Sequence, residues 1–81
     1  MYMKNKNYYE EINEVLKSYE DGKPYHTKNM DWVANRIVWA WKWRKITKEE
    51  MEELADRATA IFDNNLFIYR LGVYNKKNII N

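Results

Sequence analysis

The sequence predicts an all-α fold, a small bundle of three helices. The C-terminal tail can be interpreted as a fourth helix. Glycine occurs twice and proline once in the chain, which favours long regular elements with few tight turns. Apolar residues recur at helical spacing in three separate segments. Aromatic residues make up 16% of the chain, which gives enough apolar area for a core and argues against disorder. We therefore expect one helical domain spanning residues 1–81.

The first helix is predicted over residues 8–20. Asn7 is a suitable cap, and Glu10, three residues later, completes a start that resembles a capping box. Gly22 and Pro24 end the helix, because glycine accepts a left-handed turn and proline cannot continue a helix. The apolar stripe consists of Ile12, Val15, Leu16 and Tyr19, joined by Tyr8 or Tyr9.

The second and third helices are predicted over residues 30–45 and 48–63. Asn29 or Thr27 caps the second helix, and Thr47 with Glu50 forms a capping box at the start of the third. The apolar stripe of the third helix is Met51, Leu54, Ala55, Ala58, Ile61 and Phe62. Because the connection between the two helices is short, they are expected to form an antiparallel hairpin.

The tail, residues 66–74, is predicted as either a helix or a short strand. Its residues suit a strand, but the chain offers no second strand pattern to pair with it. We favour a helix that ends at Gly72, and we expect residues 75–81 to be frayed.

The chain has no cysteine and one histidine, His26. Disulfides and thiolate metal sites are therefore excluded, and an imidazole-rich metal site cannot form within one chain. We expect no cofactor and no metal. A chain this small has a thin stability margin, and association with another chain is the remaining means of reinforcing it.

Catalysis is not expected from this sequence. Nucleophilic chemistry needs an activated side chain beside a positioned base, but the one serine, Ser18, falls in a predicted helix and His26 falls in a linker. Two glycines cannot build a glycine-rich phosphate loop. No apolar run is long enough for a membrane helix, and the N-terminus lacks the apolar stretch of a secretory signal, so we expect a cytoplasmic protein with no membrane partner.

The second helix carries large apolar residues on two opposite faces. One broad face holds Met30, Val33, Ala34, Ile37, Ala40 and Trp41, and we expect Trp41 alone of the tryptophans to lie with the core. The opposite face holds Trp32, Arg36, Trp39 and Trp43. Either this second face is buried against another helix of the chain, or it is a surface for a partner or for self-association in a homodimer. We predict a binding site formed by Trp32, Arg36, Trp39 and Trp43 with Lys42.

Charge is unevenly distributed along the chain. Residues 22–48 carry seven basic side chains against Asp31 alone, a local charge of +6, and residues 49–65 carry six acidic side chains against Arg57 alone, a local charge of −5. The acidic run fits a solvated helix start, with a phosphate-mimicking surface as the alternative. The basic residues with the indoles keep two further interpretations open: an oligomer that sequesters a nucleotide, and a small regulator that binds nucleic acid.

The stretch WVANRIVWAWK at 32–42, followed by KITKEEM at 45–51, resembles small accessory proteins of phages and mobile elements of low-GC Gram-positive bacteria. Such proteins often act by occluding a host protein, and anti-defence inhibitors such as anti-CRISPR proteins are one group. The resemblance covers the middle of the chain and transfers no site residues. It implies a non-enzymatic inhibitor or adaptor that occludes a host protein, such as a CRISPR effector, through the tryptophan face.

Overall fold

The structure is a computed structural model and describes residues 7–77 of the chain. This part of the chain forms four helices. They are α1 (Tyr8–Glu20), α2 (Met30–Lys42), α3 (Lys48–Ile61) and α4 (Asn64–Lys77). No strand occurs within residues 7–77. The all-α prediction and the small helical bundle are confirmed, and the tail is a fourth helix.

Local side-chain caps begin the first three helices at the predicted residues. The side chain of Asn7 accepts a hydrogen bond from the backbone N–H of Glu10 (3.1 Å), and that of Asn29 accepts one from the N–H of Trp32 (3.0 Å). Thr47 and Glu50 form the complete capping box, with both reciprocal hydrogen bonds present. Each cap supplies an acceptor to a first-turn N–H that has no partner within the helix.

Helix α2 ends at Lys42, three residues before the predicted end at Lys45. The reason is the backbone of Arg44, which is left-handed with φ of 58°. The N–H of Lys45 then donates to the carbonyl of Ala40 (2.7 Å), and that of Arg44 to the carbonyl of Trp41 (3.1 Å). This pair of hydrogen bonds is the Schellman motif, which closes the end of a helix and turns the chain away from it.

Helix α3 ends at Ile61 rather than at residue 63, because Phe62 takes an extended backbone with ψ of 170°. The next residue, Asp63, begins a new helix instead of ending the old one. Its side chain accepts a hydrogen bond from the N–H of Leu66 (2.8 Å), and its carbonyl accepts one from Phe67 (2.8 Å). Asp63 therefore caps α4, and the two helices meet at a short corner.

Helix α4 runs through Gly72, where the sequence predicted its end, and continues to Lys77. Gly72 does not adopt the left-handed backbone that would end a helix, whereas Gly22 does. Residues 75–77, predicted as frayed, are helical, while residues 78–81 lie outside the described part of the chain. The helix is held by one stripe, Phe67, Leu71 and Tyr74, which packs on the core.

The core lies where the four helices meet, and α2 contacts all three of the others. Helix α4 packs chiefly on α2, and α1 chiefly on α3. Helices α2 and α3 are in contact, as the predicted hairpin requires, and their antiparallel direction stays a prediction. The buried cluster consists of Ile12, Val15, Leu16, Val33, Ala34, Ile37, Ala40, Ile46, Leu54, Ala58 and Phe67.

Polar contacts join the helices around this core. Arg57 donates two hydrogen bonds to the carboxylate of Glu20 (3.2 and 2.9 Å) and another to Asn13, which ties α3 to α1. Tyr9 donates to the carboxylate of Glu53 (2.7 Å) across the same pair of helices. The acidic run is thus not uniformly solvated, because one of its members binds α1.

Candidate protein-contact surface

Two of the predicted site residues, Trp32 and Trp39, are half-buried and pack against the core cluster. The ring of Tyr8 lies against that of Trp39, with ring centroids 5.1 Å apart and planes at 49°. Tilted aromatic pairs of this kind contribute about 0.5–1.5 kcal/mol beyond their buried area. Both indoles are therefore largely engaged by the chain itself.

Arg36 sits between these two indoles. Its guanidinium lies 5.3 Å from the ring centroid of Trp32 and 5.8 Å from that of Trp39, within the range of cation–π attraction. Its Nε is 3.3 Å from a carboxylate oxygen of Glu11, and this ion pair joins α2 to α1. The predicted binding residue Arg36 thus links helices, and little of its charge is left for another molecule.

Trp43 has a different environment from the other two indoles of its face. Its side chain is 52% exposed, and its ring reaches only the edge of Trp39, with centroids 6.5 Å apart. It is the C-terminal cap of α2. Lys42, immediately before it, is half-buried, and Arg44, immediately after it, is exposed.

Trp41 is not enclosed in the core, contrary to the prediction from the helical wheel. It does lie on the side of α2 that faces α3 and α4, but it is 39% exposed. It stands in the last turn of α2, where it lines a concave region of about 270 Å³ together with Lys42 and Arg44. Trp41, Lys42, Trp43 and Arg44 form what we name the α2-end surface.

Arg44 holds its place in this surface at a conformational cost. A left-handed backbone costs about 1–2 kcal/mol for a residue with a Cβ, and the left-handed position of a Schellman motif is most often glycine. Within residues 7–77 the side chain of Arg44 makes no hydrogen bond or ion pair that would offset this cost. Strained residues of this kind are a physical signal of a functional constraint.

A second exposed feature, missed by the sequence analysis, lies along α4. Leu66, Ile68 and Tyr69 are 49%, 54% and 64% exposed. On the side of α4 that carries Ile68 runs an apolar groove of about 270 Å³, the α4 groove, whose walls include Val38 and Trp41 of α2, Met51 and Ala55 of α3, and Leu71 and Gly72 of α4. The sequence does contain a signal of this exposed feature: α4 has apolar residues on all sides, a pattern typical of a helix that is buried all round.

The groups with shifted pKa values lie away from the α2-end surface. Arg57 lowers the pKa of the Glu20 carboxyl by donating hydrogen bonds to it, and the Glu53 carboxylate raises the pKa of Tyr9 by accepting a hydrogen bond from its hydroxyl. Burial raises the pKa of Tyr19, whose hydroxyl donates to the carbonyl of Lys28 (2.8 Å). These groups hold helices together, and none of them lines the concave region beside Trp41.

Metal-ligating side chains do not gather in threes anywhere between residues 7 and 77. None of the helices in this range is both long and apolar enough to cross a membrane. No protein-family model, no curated protein and no solved structure matches the chain. The surface must therefore be interpreted from its own chemistry.

Proposed function

We propose that this chain is a non-enzymatic binding protein that attaches to an acidic region of a partner protein through the α2-end surface. One observation carries the proposal: Trp43, 52% exposed, stands between Lys42 and the strained Arg44, with Trp41 exposed beside them. Tryptophan and arginine are the residues most enriched among interface hot spots. Indoles gain free energy when a partner removes them from water, and the cations select the partner.

The charge of this region favours an acidic partner. Residues 42–48 contain Lys42, Arg44, Lys45 and Lys48 and no acidic residue. Opposite charge on the partner would speed association and fix the orientation of the complex, whereas the buried indoles would supply most of the affinity. Binding should therefore weaken with salt chiefly through the association rate.

The resemblance to phage and mobile-element proteins extends this proposal to a biological role. In that role the chain would be an inhibitor or adaptor that occludes a host defence protein such as a CRISPR effector. Such an effector is inhibited when a small protein covers an acidic region that its activity requires. No catalytic group is needed for such inhibition, which is stoichiometric.

The test is a comparison of three immobilised baits against a bacterial lysate. They are the natural chain, the double variant Trp43→Ala/Arg44→Gly, and the control Tyr25→Ala, which removes an aromatic side chain that is 44% exposed outside the surface. We expect a partner that the natural chain and the control retain and the double variant loses. That partner, once purified, should bind with about tenfold or greater loss of affinity for the double variant. Equal capture by all three baits would exclude the α2-end surface.

A direct test of the inhibitor role uses purified CRISPR effectors and measures cleavage of target DNA. Inhibition should saturate at a fixed molar ratio of chain to effector and should be lost in the double variant. Unchanged cleavage across a panel of effectors would exclude the inhibitor role. The protein-binding proposal would then be tested by the comparison of baits alone.

A nucleotide held by an oligomer of the chain is a second candidate function. It is favoured by the concave region of about 270 Å³, because an indole and two cations line it through Trp41, Lys42 and Arg44. A base could stack on the indole while the cations neutralise phosphate. A nucleotide that binds the native state must raise the melting temperature, so a thermal-shift series over nucleotides with no response would exclude this function.

Binding to a nucleic acid is the remaining alternative for the same cations. Its signature is an affinity for DNA or RNA that falls steeply as the salt concentration rises. Absent or salt-independent binding would exclude it.

A further inference from the structure

We propose that the α4 groove, with the exposed side of α4, binds α4 of a second copy of this chain, so that the protein forms a homodimer. This inference does not rest on the proposed function: the two surfaces share Trp41, but the residues that carry the inference, Ile68 and Gly72, lie outside the α2-end surface. Three independent observations support it: the exposed apolar side chains, the position of Gly72, and the distribution of charge.

One exposed apolar residue of α4, Ile68, is continuous with the α4 groove. It lies one turn before Gly72 on the same side of the helix, so it extends the groove wall toward the start of α4. Leu66 and Tyr69, with the half-buried Val73 one turn beyond Tyr69, form a second apolar strip on the side of α4 that points away from the core. A monomer this small rarely leaves so much adjoining apolar surface in water.

Gly72 is not explained by the contacts of a single chain. It lies inside α4, where glycine is less favourable than alanine, and its backbone is not left-handed. A Cβ built at this position would meet no atom of residues 7–77 within 4 Å. Among the described residues of one copy an alanine would therefore fit, and it would stabilise the helix. Close approach of a second helix accounts for the glycine, because the absence of a side chain lets two backbones come together, and Ala55 gives the facing wall of the groove a similarly small surface.

Charge complementarity supports α4 of another copy as the second helix. Helix α4 contains no acidic residue and ends in Lys76 and Lys77, both exposed. On α3, the exposed Glu52 and Asp56 directly follow the groove residues Met51 and Ala55. An α4 that lies in the groove of its partner thus brings basic residues beside an acidic edge. Each copy carries both the basic end of α4 and the acidic edge of the groove. A two-fold axis therefore forms the same contact twice.

The test is the mass of the chain in solution, measured by sedimentation over a range of concentrations. We expect the natural chain to approach twice its monomer mass of 10.0 kDa. Gly72→Gln should raise the dissociation constant of the dimer by about tenfold or more, because the added side chain separates the two helices. The matched control is Ala60→Gln, which adds the same side chain at an exposed position of α3 outside the groove. It should leave the mass unchanged.

Two further variants make the result specific. If Gly72→Gln fails to fold by circular dichroism, Ile68→Glu replaces it and should give the same loss of dimer. Charge reversal at Lys76 and Lys77 to Glu should weaken the dimer, and adding Glu52→Lys and Asp56→Lys should restore it.

A natural chain that stays at 10.0 kDa at every concentration would overturn the inference. So would a dimer that is insensitive to Gly72→Gln or Ile68→Glu. A dimer abolished by Trp43→Ala, with the α4 variants unaffected, would place self-association on the α2-end surface and would likewise overturn it. Conversely, a dimer that survives Trp43→Ala and Arg44→Gly supports it, whatever the outcome for the proposed function.

Discussion

Arg44 occupies after α2 the same left-handed backbone position that Gly22 occupies after α1, with φ of 58° and 78° respectively. The hydrogen bonds around them also correspond: Gly22 donates to Tyr19 and Lys23 to Ser18, as Arg44 donates to Trp41 and Lys45 to Ala40. The two helix ends are thus closed by the same motif. Glycine adopts its left-handed backbone without strain, whereas arginine adopts that backbone at a conformational cost.

Replacing Arg44 with glycine should raise the free energy of unfolding by about 1 kcal/mol, because the left-handed backbone costs glycine almost nothing. The converse change, Gly22→Ala, should lower it by a similar amount even though no atom lies within 4 Å of the added Cβ. Urea denaturation with a constant slope measures both changes. If Arg44→Gly were neutral or destabilising, the strain we assign to Arg44 would not exist.

The starts of the helices could be predicted from the sequence because each depends on a cap within a few residues. Asn7, Asn29 and Thr47 each accept the hydrogen bond that their spacing predicted. The end of α1 at Glu20 could also be predicted, because Gly22 suits a left-handed backbone. The end of α2 could not, because nothing in a sequence window requires an arginine to take that backbone. Asp63 is a second example. An aspartate that ends one helix and an aspartate that caps the next helix look the same in the sequence, and only the structure shows that Asp63 caps α4.

The stability of the bundle should fall as the pH drops below about 4.5, the ordinary value for Glu20. The hydrogen bonds from Arg57 lower the pKa of Glu20 in the folded state. The unfolded chain therefore binds more protons than the folded chain between the two pKa values, and acid favours unfolding. Arg57→Met should destabilise the fold at neutral pH and reduce the acid dependence, as followed by urea denaturation at several pH values. An equally steep acid dependence in the variant would exclude this ion pair as its source.

At alkaline pH the contact between Tyr9 and Glu53 should be lost. The carboxylate of Glu53 raises the pKa of Tyr9 above its ordinary 10.0, so the folded state holds this proton more tightly than the unfolded state. The stabilisation is complete below about pH 10 and disappears as the pH rises through the folded pKa. The difference in unfolding free energy between the natural chain and Tyr9→Phe should therefore be constant at neutral pH and shrink above pH 10. A difference that does not change with pH would show that folding does not raise the pKa of Tyr9 and would exclude a hydrogen bond to Glu53 that holds this proton.

The candidate site was only partly predictable. Helical spacing placed Trp32, Trp39 and Trp43 on one face, and in the structure the rings of Trp39 and Trp43 lie 6.5 Å apart. The structure divides this face, however, because α1 reaches Trp39 through Tyr8 and Arg36 through Glu11 but leaves Trp43 exposed. Whether a helix face is covered depends on where another helix lies. The spacing of residues along one helix gives no information about the position of another helix. The exposure of Trp41 at the end of α2 has the same origin.

The division of the tryptophan face into a structural part and a free part is tested most directly by comparing Trp39→Ala with Trp43→Ala in urea denaturation. Trp39 packs on the core and against Tyr8, so its removal should lower the free energy of unfolding by about 2 kcal/mol or more. Trp43 is 52% exposed, so its removal should cost less than about 1 kcal/mol. Equal losses, or a larger loss for Trp43, would show that Trp43 belongs to the core and is not available to a partner.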